Sequence, residues 1–321
     1  MTVLRVTVLD DYAGVAEGSA NWSSLAGKCQ ITFWRDHITD RAAIIQRLRD
    51  SDVAVIERER TRFPGWLFEA LPRLKLLVAT GPVNWSIDYG AAAARGVVVC
   101  GTQARQDLAP EHTMALILAL ARRVVVEDRA VRRGVWHSGV GTSLKDKTLG
   151  IIGLGQVGRK VAELARPFGM NIVAYSKNLT PDLAAAHGAR CVSRDELLST
   201  SDFVSLHSVL SDRTRGMIGQ AELKLMKPTA FLINTSRGPL VDENALIDAL
   251  SRNVIAGAAL DVFDTEPLPG DHPLIGFDNV IITPHIGYLT DDQARLFYGQ
   301  VVENIIAFLN GKPVRILHPP P

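Results

Sequence analysis

Short runs of uniformly apolar residues alternate with stretches in which apolar side chains recur every three or four positions, and the alternation continues along the whole chain. Runs too short for helices and apolar at successive positions suit strands covered on both faces, and the periodic stretches between them suit the covering helices. This arrangement predicts parallel sheets in an α/β chain. The first series of strands is expected at 4–9, 30–34, 53–57, 75–80 and 97–100, with helices over 40–49, 65–71 and 87–95. A second series is expected near 171–175, 190–193, 202–206, 230–234, 255–260 and 280–282. Between the two, Ala109 to Arg133 reads as one long helix, opened by Pro110 and closed by Gly134. A last periodic stretch, 291–309, ends at Asn310-Gly311 and Pro313 and is expected to return the chain to the first assembly. The Pro319-Pro320-Pro321 end reads as a frayed tail.

The join between the two series carries the sharpest local signal, Gly153-Leu154-Gly155-Gln156-Val157-Gly158, entered from Leu149-Gly150-Ile151-Ile152 and followed by a helical pattern. Gly153 permits a tight strand-to-helix turn, Gly155 lets backbone approach a pyrophosphate, and Gly158 lets the helix pack closely on the strand. The unpaired amides opening the helix then face the anion. Dinucleotide binding is the expectation. The carboxylate that selects the unphosphorylated ribose stands about 20 positions further on in such folds. Here that place reads Ala174-Tyr175-Ser176-Lys177-Asn178. Ser176 and Asn178 suit a ribose or a phosphate and Lys177 suits a 2′-phosphate, so NAD and NADP both remain open.

Composition narrows the classes. At 321 residues and 47% apolar content there is material for two cores. Lys and Arg (35) balance Asp and Glu (34) without long runs of one sign, which is not the field of a nucleic-acid binder. Cys29, Cys100 and Cys191 form no CxxC pair, so neither a zinc site nor a disulfide framework is expected. The opening residues contain no signal-peptide core and no apolar stretch reaches membrane-spanning length, so a cytoplasmic protein with no membrane partner is expected.

Three later segments place a reactive side chain just past an expected strand, the edge where open α/β sheets bind ligands. They are Asn234-Thr235-Ser236-Arg237-Gly238, Leu260-Asp261-Val262-Phe263-Asp264-Thr265-Glu266-Pro267 and Thr283-Pro284-His285-Ile286-Gly287. Together they hold what carbonyl reduction requires. Arg237 has the planar fork that grips a carboxylate. His285 carries imidazole, which exchanges a proton near neutral pH. Glu266 is placed to fix the imidazole tautomer and favour its charged form. Glu111 and His112 fall in the first turn of the long helix, where a carboxylate suits the helix dipole, and no catalytic role is expected of them. Trp136 reads as an aromatic packed at the helix exit, and His207 closes a strand near the expected nicotinamide edge.

On these motifs the chain resembles the D-isomer-specific 2-hydroxyacid dehydrogenases over nearly its whole length. The resemblance implies a fold of two doubly wound parallel-sheet lobes, a Rossmann NAD(P)-binding domain (105–287) inserted into a flavodoxin-like substrate domain (1–104 plus 288–321), with an active-site cleft between them. It implies hydride transfer between a nicotinamide cofactor and a small 2-keto or D-2-hydroxy acid, with Arg237, Glu266 and His285 as the catalytic set. Gln156 and Val157 then meet the pyrophosphate, Thr235 and Ser236 flank the nicotinamide ribose, and Asp261, with Gly287 beside it, resembles the carboxamide contact. Thr80 and Gly81, in a loop continuing Pro82-Val83-Asn84-Trp85, match the substrate-carboxylate cradle, and Arg58 resembles the arginine that phosphoglycerate dehydrogenases direct at their substrate. The family also implies a homodimer built on the long helical segment. Two further readings stay open: a dinucleotide-sensing corepressor-like binding protein, which would require a peptide-docking groove, and a phosphite dehydrogenase.

Overall fold

Strand after strand is buried at every position, and this dictates the layers. In the computed structural model, which describes residues 3–319, β3 (Val53–Ile56) and β4 (Leu76–Ala79) have all four residues buried. A strand with no exposed face must be covered on both sides, and each fully buried Val, Leu or Ile contributes ~1.5–3 kcal/mol. Pro320 and Pro321, at the proline end, lie outside the described residues.

The chain divides into two compact units, residues 1–105 with 289–321, and residues 106–288. The first is built on a five-stranded parallel sheet that joins β3 and β4 with β1 (Leu4–Val8), β2 (Cys29–Phe33) and β5 (Val98–Cys100), in the order β2-β1-β3-β4-β5. Helices α1 (Arg41–Leu48), α2 (Gly65–Ala70) and α3 (Tyr89–Ala94) connect its strands, and the terminal helix α11 (Asp291–Leu309) belongs to the same unit. Asp40, Asp88 and Thr290 cap α1, α3 and α11 by accepting backbone N–H bonds with their side chains. This is the flavodoxin-like strand order.

The second unit carries a seven-stranded parallel sheet. Its strands are β6 (Thr148–Ile152), β7 (Asn171–Tyr175), β8 (Arg190–Cys191), β9 (Phe203–Leu206), β10 (Phe231–Asn234), β11 (Gly257–Leu260) and β12 (Val280–Ile282), in the order β12-β11-β10-β9-β6-β7-β8. The connecting helices are α6 (Gln156–Ala165), α7 (Pro181–Ala186), α8 (Arg194–Thr200), α9 (Gln220–Leu225) and α10 (Glu243–Ser251). Strand order reverses at β6, with β7 on one side and β9 on the other, which creates the crevice at the carboxyl edge where such sheets take ligands. The two sheets are the Rossmann and flavodoxin-like lobes the sequence predicts.

Two expectations need correction. The stretch Ala109 to Arg133 is not one helix but two, α4 (Leu108–Ala121) and α5 (Val124–Arg132), broken where Arg123 takes a left-handed backbone at φ 56°. The Arg123 side chain is then free to bond Glu127 and Ser138, which closes the following loop onto α5. Trp136 is not packed at a helix exit. It is 86% exposed, with Val124, Val131, Val135 and Val140 exposed nearby in sequence. The three cysteines are unpaired, and among the described residues no helix is long and apolar enough to cross a membrane.

Candidate active site

At the carboxyl end of β6, Gly153 has φ +101°, and a Cβ there would strike the backbone of His207 and Ser208 as the chain leaves β9. A Cβ on Gly158 would collide with the Gly153 carbonyl oxygen, so the third glycine is what lets α6 begin directly beneath the turn. Gly155 differs: a Cβ there would meet nothing within 4 Å, because the position faces open space. The first helical hydrogen bond of α6 runs from the Arg159 N–H to the Gly155 carbonyl. The Gln156, Val157 and Gly158 amides ahead of it therefore have no partner within the helix. A tight turn, an open approach and free amides are what a pyrophosphate requires, and the residues present fit a dinucleotide. Ser176, at the end of β7, accepts the Leu154 N–H on its Oγ at 3.0 Å. Lys177 beside it is exposed.

The three segments past β10, β11 and β12 are joined by specific contacts. Asn234 is buried; its Nδ2 donates to the Arg237 carbonyl at 2.9 Å and its Oδ1 accepts the Ser236 N–H at 3.1 Å, which sets the 235–237 turn. Thr235 shares a 2.8 Å hydroxyl contact with Thr113 of α4, and Ser236 Oγ donates to the Ser208 carbonyl. Arg237 donates from Nη1 to the Ser236 carbonyl. Immediately after it, Gly238 packs so tightly on the Phe263 backbone that no Cβ fits. The arginine turn is thereby fastened to the segment that carries Glu266.

Glu266 Oε1 accepts the Phe263 N–H at 2.9 Å and Oε2 lies 2.6 Å from His285 Nδ1. An ionised carboxylate only accepts, so Nδ1 carries a proton toward Glu266 and Nε2 is left as the nitrogen that can exchange one. His285 has φ 55° and its ring meets Tyr288 edge-on, with centroids 5.7 Å apart. What holds a non-glycine residue in that conformation is Asp261, 1% exposed, which binds the loop on both sides of the histidine. Its Oδ1 accepts the Thr283 hydroxyl at 2.6 Å and the Ile286 N–H at 2.9 Å, and its Oδ2 accepts the Gly287 N–H at 2.9 Å. Burial raises the Asp261 pKa, but bonds from His112, Thr283 and Ile286 outweigh it, and the carboxyl ends below its ordinary range. His112 is the residue the sequence reading passed over. Its Nε2 lies 3.1 Å from Thr283 Oγ1 and 3.4 Å from Asp261 Oδ1. No sequence signal links a residue near the start of α4 to a loop 171 positions later. Burial pushes the His207 pKa down to about 4, so this ring, bonded to Ser205, is neutral.

In the other unit, Arg58, Thr80 and Gly81 come together at the ends of β3 and β4. Thr80 Oγ1 accepts the Arg58 N–H at 2.9 Å, and Asn84 Nδ2 donates to the Arg58 carbonyl at 2.6 Å. Arg58 has φ 53°, and its guanidinium lies over Gly81, itself at φ +102°, where any Cβ would collide with it. The glycine is what gives the arginine its place. Among the described residues no group of three or more His, Cys, Asp or Glu side chains is gathered so as to hold a metal ion.

Residues 114–287 match the family model described as the D-isomer specific 2-hydroxyacid dehydrogenase, NAD binding domain. The chain is 40% identical over 294 residues to a glyoxylate reductase of Thermococcus litoralis, covering 88% of each protein. It is 32% identical to a hydroxypyruvate reductase of Blautia hydrogenotrophica, covering 98% of this chain and 100% of that one. Its fold is similar to the crystal structure of a phosphoglycerate oxidoreductase from Vibrio cholerae, with a TM-score of 0.90 at 32% identity, covering 96% of this chain and 100% of that one. A match to the family model over half the sequence and relatives matched nearly end to end place the chain among the D-isomer-specific 2-hydroxyacid dehydrogenases.

Proposed function

We propose that the chain reduces a small 2-keto acid to the D-2-hydroxy acid, and runs the reverse oxidation, with Arg237, Glu266 and His285 as its catalytic residues. The observation that carries this reading is the 2.6 Å Glu266–His285 pair on a loop tied down by Asp261, with the Arg237 turn packed against the same segment. A bound nicotinamide cofactor, NAD or NADP, supplies or accepts the hydride, and the protein's part is position and charge. In reduction, His285 gives its Nε2 proton to the carbonyl oxygen that becomes the hydroxyl, and in oxidation it takes that proton back. Glu266 stabilises the ring while it is charged and fixes its tautomer. Arg237 holds the substrate carboxylate with its fork, orienting the keto group.

For the cofactor, Gly153, Gly155, Gln156, Val157 and Gly158 form the pyrophosphate turn, Ser176 and Lys177 face the adenosine ribose, and Thr235, Ser236, Asp261 and Gly287 serve the nicotinamide end. Arg58, Thr80 and Gly81 are proposed as substrate-binding residues. Relatives named for glyoxylate and hydroxypyruvate make these two acids the first candidates. Removing Arg237 tests the assignment. Arg237→Ala is expected to lower kcat/KM for a keto acid by about a hundredfold or more, the loss typical of a charged substrate-gripping group, while cofactor binding persists. Retained turnover would remove Arg237 from the role.

A further inference from the structure

The corner where β7 meets the glycine turn is built from donors. The Leu179 N–H bonds the Ser176 carbonyl at 3.0 Å, so Lys177 and Asn178 occupy the two central positions of a tight turn, both exposed. This turn is fastened to the glycine loop by the Gly153 N–H on the Tyr175 carbonyl at 2.9 Å and by the Leu154 N–H on Ser176 Oγ. From the first turn of α6, Arg159 reaches back to the same place, with Nε 3.2 Å from the Leu154 carbonyl. Nε is thus spent on the loop, and the two terminal nitrogens remain for another partner.

The chemistry of the corner is one-sided. Ala174 to Thr180 contains no carboxylate, and among the described residues no acidic side chain pairs with Lys177 or Arg159. Ser176 accepts from Leu154, which leaves its own O–H to donate. A ribose diol is best met by an acceptor such as a carboxylate, whereas a phosphate is met by donors and positive charge. The corner offers the hydroxyl of Ser176, the ammonium of Lys177, the amide of Asn178 and the guanidinium of Arg159.

We propose that this chain selects the 2′-phosphorylated dinucleotide, NADP(H) over NAD(H), and that Arg159 and Lys177 are the selecting residues. The proposal rests on the dinucleotide reading of the glycine turn and goes beyond it in naming the ligand's distinguishing group. Its test is binding, not turnover. Isothermal titration of the intact protein compares adenosine 2′,5′-bisphosphate with 5′-AMP, which differ only in the 2′-phosphate, and quenching of protein fluorescence compares NADP+ with NAD+. The phosphorylated member of each pair is expected to bind about tenfold tighter or more, with an advantage that shrinks as salt is raised. Lys177→Ala and Arg159→Ala should each remove roughly tenfold of that advantage. Ser176→Asp should invert the preference. Equal or tighter binding of NAD+ overturns the selection and leaves the dinucleotide reading standing. Failure of every nucleotide to bind overturns both. A preference for the phosphate that survives both alanine variants overturns the assignment to these residues.

Discussion

Among single residues the decisive one is Glu266, because both its oxygens are committed: one to the Phe263 amide, the other to the imidazole of His285. Removing its charge while keeping its shape separates electrostatics from packing. Glu266→Gln is expected to lower kcat for keto-acid reduction at neutral pH by roughly 10²-fold, the scale of general acid–base assistance. Reduction consumes the protonated ring and oxidation the neutral one. The two directions should therefore respond to pH with opposite sign in the wild-type protein. A variant whose rate matches wild type would show that Glu266 does not act on the histidine.

The elements decide whether that pair is held in place. The loop after β12 keeps His285 at a positive φ because the Asp261 carboxylate, at the end of β11, binds the residues on either side of it. Asp261→Asn turns one acceptor into a donor facing backbone N–H groups or the Thr283 hydroxyl, at a cost of about 1–3 kcal/mol for the stranded groups. We expect a lower Tm and a fall in kcat larger than any change in cofactor affinity. The carboxyl's pKa is depressed in the fold, so its stabilisation is present above the ordinary carboxylate range and is lost as pH falls through the lowered value. The stability gap between wild type and variant should accordingly narrow on acidification, and a gap independent of pH between neutrality and the acid limb would contradict this. Much at this scale was legible in the sequence, since buried parallel strands write themselves as apolar runs. The helix expected over 291–309 from its periodicity and its Asn310-Gly311 stop has those bounds in the structure. What was not legible was tertiary. The break at Arg123 lies in an unbroken helical pattern, because nothing in Arg122-Arg123-Val124 forbids helix. The approach of His112 to Asp261 depends on how α4 packs on the sheet, which no local pattern encodes. Arg237, Glu266 and His285 stood out only because each follows a strand end.

At the scale of the molecule, Trp136 and Val140 are 86% and 88% accessible, and Val124 and Val131 of α5, near them in sequence, are exposed as well; large apolar side chains left this open favour association. We propose that these side chains are covered in a homodimer formed through α5 and the segment after it. Light scattering should return twice the chain mass of 34.9 kDa, and Trp136→Glu should shift the population toward monomer. A wild-type monomer at micromolar concentration would refute the pairing. The central claim, hydride transfer to a small 2-keto acid through the Arg237, Glu266 and His285 set, is tested most directly by following reduced-nicotinamide absorbance. The purified protein would be given NADH or NADPH with glyoxylate, hydroxypyruvate, pyruvate, 2-ketoglutarate or phosphohydroxypyruvate. The expected result is cofactor oxidation that requires the keto acid, saturates with it and is abolished in His285→Gln. Absence of turnover with every acid, in a protein shown to bind the cofactor, would contradict the claim and favour a dinucleotide-sensing role.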